Sequence, residues 1–137
     1  MIPSQKLIAA IAAALATASA NPVENPDAVE PRAAPFTGDL TFYEPGLGAC
    51  GVTNDNGDNV VAVSQLLFDH KTPGGNPNKN PLCGRKINVH HGGKTQLFTV
   101  QDRCTGCKLH DLDATVTFFE KFTSPDKGRI PITWTWA

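Results

Sequence analysis

The sequence predicts a small all-β domain that closes into a barrel and is stapled by disulfides. Two features predict the β class: the apolar runs are short, and Gly and Pro interrupt them throughout. A third is the last run, residues 130–136, in which apolar and polar side chains alternate as in a half-buried strand. Several such strands and few helices within residues 36–137 are typical of a small closed barrel.

The N-terminal region carries the pattern of a secretory signal peptide. An apolar run at residues 7–16 follows Lys6 and is too short to span a bilayer, and residues 18–20 give an A-x-A cleavage pattern. Residues 1–20 are therefore predicted to be a signal peptide, and the mature protein is expected to be secreted and soluble. A buried Ala-rich helix is the alternative interpretation.

Residues 21–35 separate this segment from the domain. They contain four prolines and no apolar periodicity, so they offer too little apolar surface for folding. We expect a disordered linker or pro-segment, in which Arg32 is a weak candidate for a processing site. The folded domain is then expected to span residues 36–137.

The charge balance narrows the classes of partner. From Ala33 onward ten Lys and Arg residues balance ten Asp and Glu residues, whereas nucleic acids and anionic membranes require a basic face. We therefore expect neither as a partner, and a neutral polysaccharide or a protein fits better. No cofactor is indicated, and we expect a monomer.

The cysteine count predicts two disulfides. An even number of cysteines in an exported domain is typical of a disulfide framework, and secretion disfavours the alternative, a zinc site. The four lie at Cys50, Cys83, Cys104 and Cys107.

Two other patterns are weak as metal sites. His90 and His91 point to opposite faces of a strand, so they cannot easily chelate one ion, and His110 adds no recognisable spacing. The alternating Asn and Asp of residues 54–59 invite a calcium site, but no Glu follows in the register of an EF-hand. We expect no metal and a solvated turn here.

Strand patterns recur along the domain. The last strand places two tryptophans, Trp134 and Trp136, on one face, where we expect core packing rather than a sugar-binding platform. The two central strands are predicted to form a hairpin across residues 91–94. The predicted strands cover residues 37–43, 60–63, 86–90, 95–101 and 130–136.

Two helices are predicted between these strands. Ser64 can cap a brief helix that carries residues 66–68, and Asp113 is predicted to cap a second over residues 114–122, where three Phe lie near one face. Residues 71–81 form a long polar loop, which is either an insertion without a role or the rim of a binding surface.

Four motifs occur in one order along the domain. They are GDLTFY at 38–43, GACG at 48–51, LCG at 82–84, and VQDRC at 100–104 continuing to HDLD at 110–113. Together they resemble the double-psi β-barrel family, which includes the first domain of expansins, barwin-like proteins, rare-lipoprotein-A-like proteins and small fungal secreted homologues. The resemblance covers nearly the whole domain and implies a single six-stranded double-psi β-barrel with one or two short helices.

The resemblance also implies how the cysteines pair. The usual bridge between the GACG and CG segments of these domains matches Cys50 and Cys83. It would close a loop of about thirty residues and stabilise the domain by roughly 3–4 kcal/mol in the chain-entropy model. Cys104 and Cys107 form a C-x-x-C turn that can close on itself.

The resemblance bears on catalysis through two positions. Asp111 matches the acid that precedes the helix in related barrel endoglucanases. Those hydrolases carry a second carboxylate on the first strand, but this chain has Thr41 at that position, as expansins do. Inverting hydrolysis requires both carboxylates, so the resemblance implies a non-hydrolytic protein with Asp111 as a vestigial acid. Asp39 and Glu44 lie near Thr41 but do not match the hydrolytic motif.

Two further residues complete the candidate binding site. Asp102 resembles an acid that expansins carry at the end of the preceding strand, and Tyr43 shares a strand face with Thr41. Alternatively, Asp102 and Asp111 only pin backbone. We expect the groove role, in which Asp111→Ala weakens wall binding and leaves the melting temperature nearly unchanged. The residues expected to converge on one groove are Thr41, Tyr43, Asp102 and Asp111.

Three functions remain open on these grounds. The first is expansin-like binding of cell-wall polysaccharide without efficient hydrolysis, through the barrel alone. The alternative is a secreted effector or inhibitor that binds a papain-like cysteine protease, with the loop at residues 71–81 inserted into a cleft. The third is a weak glycanase that uses Asp111 with Asp39 or Glu44.

Overall fold

The computed structural model describes residues 34–137, which form a closed six-stranded β-barrel. This confirms the predicted fold class. The predicted signal peptide and nearly all of the predicted linker lie outside the described residues. Within residues 34–137, no helix is long and apolar enough to cross a membrane.

Five of the six strands lie close to their predicted positions, and the strand at Leu112–Thr115 is not among those predicted. The helices are two single turns, α1 (Gln65–Phe68) and α2 (Val116–Phe119). Four 3₁₀ turns lie in the loops, at Asp69–Lys71, Pro73–Gly75, Pro77–Lys79 and Pro125–Lys127. The strands are β1 (Phe36–Tyr43), β2 (Val60–Ser64), β3 (Lys86–His91), β4 (Lys94–Cys104), β5 (Leu112–Thr115) and β6 (Ile130–Trp136).

The strands follow the order β1-β5-β2-β4-β3-β6 around the barrel. The pairs β1–β5 and β2–β4 are parallel, and the other four are antiparallel. The predicted hairpin is confirmed as β3–β4. Its tip is Gly92-Gly93, whose φ angles of 56° and 80° suit a two-residue turn with positive φ at both positions.

Apolar side chains at alternate strand positions fill the barrel. Trp134 is fully buried, and its indole Nε1 donates a hydrogen bond to the carbonyl oxygen of His110 at 2.9 Å. Trp136 is half-buried beneath the Arg85 guanidinium, 3.9 Å from the ring centroid. Other core side chains include Leu40, Val61, Val63, Ile87, Val89, Phe98, Val100, Leu112 and Ala114.

Both predicted disulfides are confirmed. Cys50–Cys83 joins the loop after β1 to the segment before β3, and Cys104–Cys107 closes the turn at the end of β4. All four cysteines are thereby bridged.

The predicted second helix is wrong over its first residues. Asp113 does not cap a helix but lies in β5, and α2 continues only to Phe119. Residues 112–115 are extended because they pair with β1, more than seventy residues earlier in the sequence, at Leu40↔Leu112. The other predicted cap is confirmed, since Ser64 Oγ accepts a hydrogen bond from the Leu66 amide at 3.1 Å.

Candidate functional site

A row of residues crosses four strands on the outer face of the barrel. Thr41 of β1 is in register with Asp113 of β5, Asp113 with Ala62 of β2, and Ala62 with Asp102 of β4. Neighbours such as Leu40 point into the core, so strand alternation turns the row outward. Two carboxylates therefore lie on one face, with the smallest side chain of the row between them.

A β-bulge in β4 places Asp102 in this row. Val61 pairs with Val100, but Ala62 pairs with Asp102, so Gln101 is an extra residue in β4. Regular alternation would put Asp102 on the core face that Val100 occupies, because side chains repeat every two residues. The bulge reverses that direction.

The row forms the floor of a groove of about 400 Å³. The C-x-x-C turn forms one wall, and the predicted residues Thr41, Tyr43 and Asp102 all line the groove together with Asp113. The remaining lining residues are Ala62, Arg103, Cys104, Thr105, Gly106, Cys107 and Arg129.

Asp102 is held by three neutral donors. Its Oδ1 accepts hydrogen bonds from the backbone amides of Ala49 and Arg103, both at 2.8 Å, and its Oδ2 accepts one from the Tyr43 hydroxyl at 3.0 Å. Burial and the negative charge of Asp102 together raise the pKa of the Tyr43 phenol. Tyr43 therefore stays a neutral donor, and its hydroxyl is held at the groove by Asp102.

Asp113 is the groove residue that the sequence analysis missed. Its Oδ1 accepts a hydrogen bond from Thr41 Oγ1 at 2.8 Å. Burial raises its pKa and the charge of Asp102 adds to the rise, whereas the Thr41 hydrogen bond and Arg129 act in the opposite direction. The alternation of Asp111, Leu112, Asp113 and Ala114 is a strand signal that could have revealed it.

Asp111 lies beside the groove and not among its lining residues. It is 7% exposed, and it accepts hydrogen bonds from the backbone amides of Asp39 at 2.9 Å and Lys108 at 3.1 Å. One oxygen lies 3.7 Å from Nη1 of Arg129. The carboxylate thus ties the loop after the C-x-x-C turn to β1, and the structure brings together three of the four predicted site residues.

A second concavity of about 450 Å³ adjoins the groove at Arg103. The polar loop at residues 71–81 borders it through Thr72, Gly75 and Pro77. Asn80 anchors this loop, because its Nδ2 donates hydrogen bonds to Phe68 O at 2.7 Å and to Thr72 Oγ1 at 2.9 Å. The loop is therefore the rim of a concave surface.

Within residues 34–137, no group of three or more His, Cys, Asp or Glu side chains is placed to hold a metal ion. The adjacent histidines have separate partners: His90 Nδ1 lies 2.8 Å from Thr95 Oγ1, and His91 Nδ1 lies 2.7 Å from Pro131 O. The groove is instead lined by two carboxylates, three hydroxyl groups, two guanidinium groups and one aromatic ring.

Known proteins share this architecture. No protein-family model matches the chain. The solved structure of the Streptomyces papain inhibitor superposes with a TM-score of 0.68 at 31% sequence identity, over 76% of this chain and 94% of that protein. The chain belongs to the double-psi β-barrel family. An expansin of Clavibacter michiganensis in complex with cellohexaose shares the double-psi fold, with a TM-score of 0.62, 22% identity, and coverage of 76% of this chain and 50% of the expansin.

A curated protein with a longer chain is also similar in sequence. The Allergen Asp f 7 homolog of Arthroderma benhamiae is 38% identical over 102 residues, which are 74% of this chain and 32% of the relative. The chain spans about a third of the length of that curated relative.

Proposed function

We propose that this protein is a secreted double-psi barrel that binds cell-wall polysaccharide in the groove without efficient hydrolysis. The observation that carries the proposal is that Thr41, Asp113 and Asp102 line one groove together with the aromatic side chain of Tyr43. Positioned acceptors beside an aromatic ring suit sugar hydroxyls and a sugar ring face. Two disulfides are typical of an oxidising compartment and agree with the predicted signal peptide.

The contacts of Asp111 and Asp39, the carboxylates that the weak-glycanase alternative uses, support binding rather than hydrolysis. Thr41 stands where the related hydrolases carry a carboxylate, and Asp111 faces backbone amides. Asp39, the alternative partner for Asp111, is paired with Arg129 at 3.1 Å. Inverting hydrolysis needs room for a water molecule between the two carboxyl groups. Asp111 and Asp39 do not line the groove, so they offer no such position there.

The test is a pull-down on insoluble cellulose, chitin and xylan with the mature protein. We expect at least one of these polymers to retain the wild type and Tyr43→Ala to lose that retention. Leu97→Ala truncates a large apolar side chain at an exposed position outside the groove, and this variant should be retained like the wild type. The same incubations should release no reducing sugar above background. Absence of retention on every polymer would overturn the proposal.

A second candidate function is inhibition of a papain-like cysteine protease. The observation that favours it is the 31% identity to the Streptomyces papain inhibitor across 94% of that protein. The concavity bordered by residues 71–81 offers a surface for a protein partner beside the groove. Titration of papain activity tests it: stoichiometric inhibition that survives Tyr43→Ala would place the protein function on this second surface.

A further inference from the structure

The two carboxylates on the groove floor have no cationic hydrogen-bond donor among residues 34–137. Asp102 is bonded by two backbone amides and the Tyr43 hydroxyl, and Asp113 by the hydroxyl of Thr41. Neutral donors orient a carboxylate but leave its negative charge in place. Because both side chains are only partly exposed, that charge is less screened than on an open surface.

The two guanidinium groups that line the groove are paired with other carboxylates. Arg103 forms a two-point contact with Asp69, at 2.8 Å from Nε and 2.7 Å from Nη2. Arg129 lies 3.1 Å from Asp39. Five carboxylates thus face two guanidinium groups in and around the groove, an excess of three negative charges in a domain whose charges balance overall. The five are Asp39, Asp69, Asp102, Asp111 and Asp113.

The spacing of the floor carboxylates suits a linear polymer. Asp102 and Asp113 flank Ala62 from the two sides of β2, so their Cα atoms are two strand spacings apart, about 9.5 Å. This is close to the length of two sugar units in an extended chain, in which alternate units present the same substituent on the same face. A repeating cationic substituent would therefore meet both carboxylates.

We propose that the groove selects polysaccharides that carry free amino groups, such as a deacetylated hexosamine polymer, over neutral glycans. The inference rests on the polysaccharide-binding function proposed above. An ammonium group donates charge-assisted hydrogen bonds to a carboxylate, which are about twice as strong as bonds from a neutral hydroxyl. Before contact, the negative charge of the groove raises the local concentration of a cationic ligand. The bound ammonium groups would then neutralise that charge.

The experiment compares soluble oligomers of glucosamine, N-acetylglucosamine and glucose of equal length by calorimetry, at low salt and about pH 6, above the ordinary carboxyl pKa. We expect the glucosamine oligomer to bind at least tenfold more tightly than the other two, a difference of about 1.4 kcal/mol. Added salt should erase most of that preference.

Three isosteric variants locate the effect. Asp113→Asn and Asp102→Asn should each lower the affinity for the glucosamine oligomer about tenfold. They should lower the affinity for the glucose oligomer much less, because an amide oxygen still accepts a hydrogen bond from a hydroxyl but carries no charge. Asp126→Asn removes the same charge from an exposed turn outside the groove and should change neither. A thermal unfolding transition shows whether each variant is folded. If Asp102→Asn is unfolded, the binding of Asp113→Asn alone tests the proposal.

The outcomes separate the two proposals. Equal affinity for all three oligomers, unchanged by Asp113→Asn, would overturn the charge preference and leave the polysaccharide function standing. Failure of every oligomer to bind would overturn both. An oligolysine of equal charge that binds as tightly as the glucosamine oligomer would identify a cationic polypeptide as the ligand and overturn the sugar assignment.

Discussion

Asp102 and Asp113 face the same residue, Ala62, from opposite sides of β2. They come from strands that flank the C-x-x-C turn, so the disulfide that closes this turn also fixes the segment between the two carboxylates. Their proximity has an energetic consequence, because the charge of Asp102 contributes to the raised pKa of Asp113. The groove is therefore a preformed anionic site that costs stability when both groups are ionised.

The first prediction concerns this cost. The folded-state pKa of Asp113 lies above its unfolded-state value, chiefly through burial and then Asp102, although Thr41 and Arg129 oppose the rise. Its stabilising contribution is therefore complete below the unfolded pKa of about 4 and is lost as the pH rises through the folded pKa. We expect Asp113→Asn to raise the melting temperature at neutral pH and to lose this advantage in acid.

Thermal unfolding of both proteins across the acid-to-neutral range measures this. Asp126→Asn is the control, since it removes an exposed carboxylate from a 3₁₀ turn. A stabilisation by Asp113→Asn that is the same at acid and neutral pH would show that the carboxylate charge is not its cause.

The second prediction concerns Tyr43, the single tyrosine of the chain. Burial raises its pKa, and the neighbouring charges of Asp102 and Asp113 add to the rise. Because the folded pKa exceeds the unfolded value of about 10, its contribution to stability is complete below that value and is lost as the pH rises further. We expect no tyrosinate in the folded protein, so tyrosinate absorbance should appear only together with alkaline unfolding.

An alkaline titration followed by ultraviolet absorbance and by circular dichroism checks this on one sample. Tyr43→Phe should lose the absorbance change and unfold at higher pH than the wild type. A tyrosinate signal that precedes the loss of structure would show that the phenol is accessible and not held by Asp102.

The third prediction concerns Asp111. Removal of its carboxylate leaves the amides of Asp39 and Lys108 without their acceptors, which costs about 1–3 kcal/mol. We therefore expect Asp111→Ala to lower the urea midpoint of unfolding, whereas Asp126→Ala should stay within about 0.5 kcal/mol of the wild type. Unchanged stability with weakened glycan binding would favour the groove role that the family resemblance implies.

The parts of the site that sequence could predict depend on local alternation. Thr41 and Tyr43 lie two residues apart on one strand, so their common face follows from the strand period alone. The last strand is equally local, since its alternating apolar residues enter the core. The cysteine pairing followed from the order of the motifs and is confirmed.

The parts that local patterns could not predict depend on partners far along the chain, and only the family resemblance predicted Asp102 in the groove. The period of β4 sends Phe98 and Val100 inward and would send Asp102 with them, but the extra residue Gln101 turns Asp102 outward. Asp113 looked like a helix cap because the Phe residues that follow have near-helical spacing. Its extended conformation arises from pairing with β1 and β2, and the only local sign of a strand is the short alternation of residues 111–114.

The last prediction concerns the loop that supports this bulge. A Cβ at Gly48 would lie 2.6 Å from the carbonyl oxygen of Gln101 and 3.2 Å from Cγ of Asp102. The first of these is a backbone atom that also accepts a hydrogen bond from the Cys50 amide at 3.3 Å, so the loop itself must move. We expect Gly48→Ala to destabilise the domain by about 1–3 kcal/mol, as overpacking does.

Gly46→Ala is the matched control, because its Cβ would meet no atom within 4 Å. Urea unfolding of the two variants measures the difference, and glycan retention should fall only for Gly48→Ala, since the displaced loop carries the Ala49 amide that orients Asp102. Equal stability of both variants would mean that the loop around Gly48 can shift without a loss in the free energy of unfolding. The bulge would then hold Asp102 through its pairing with β2 alone, without support from the loop.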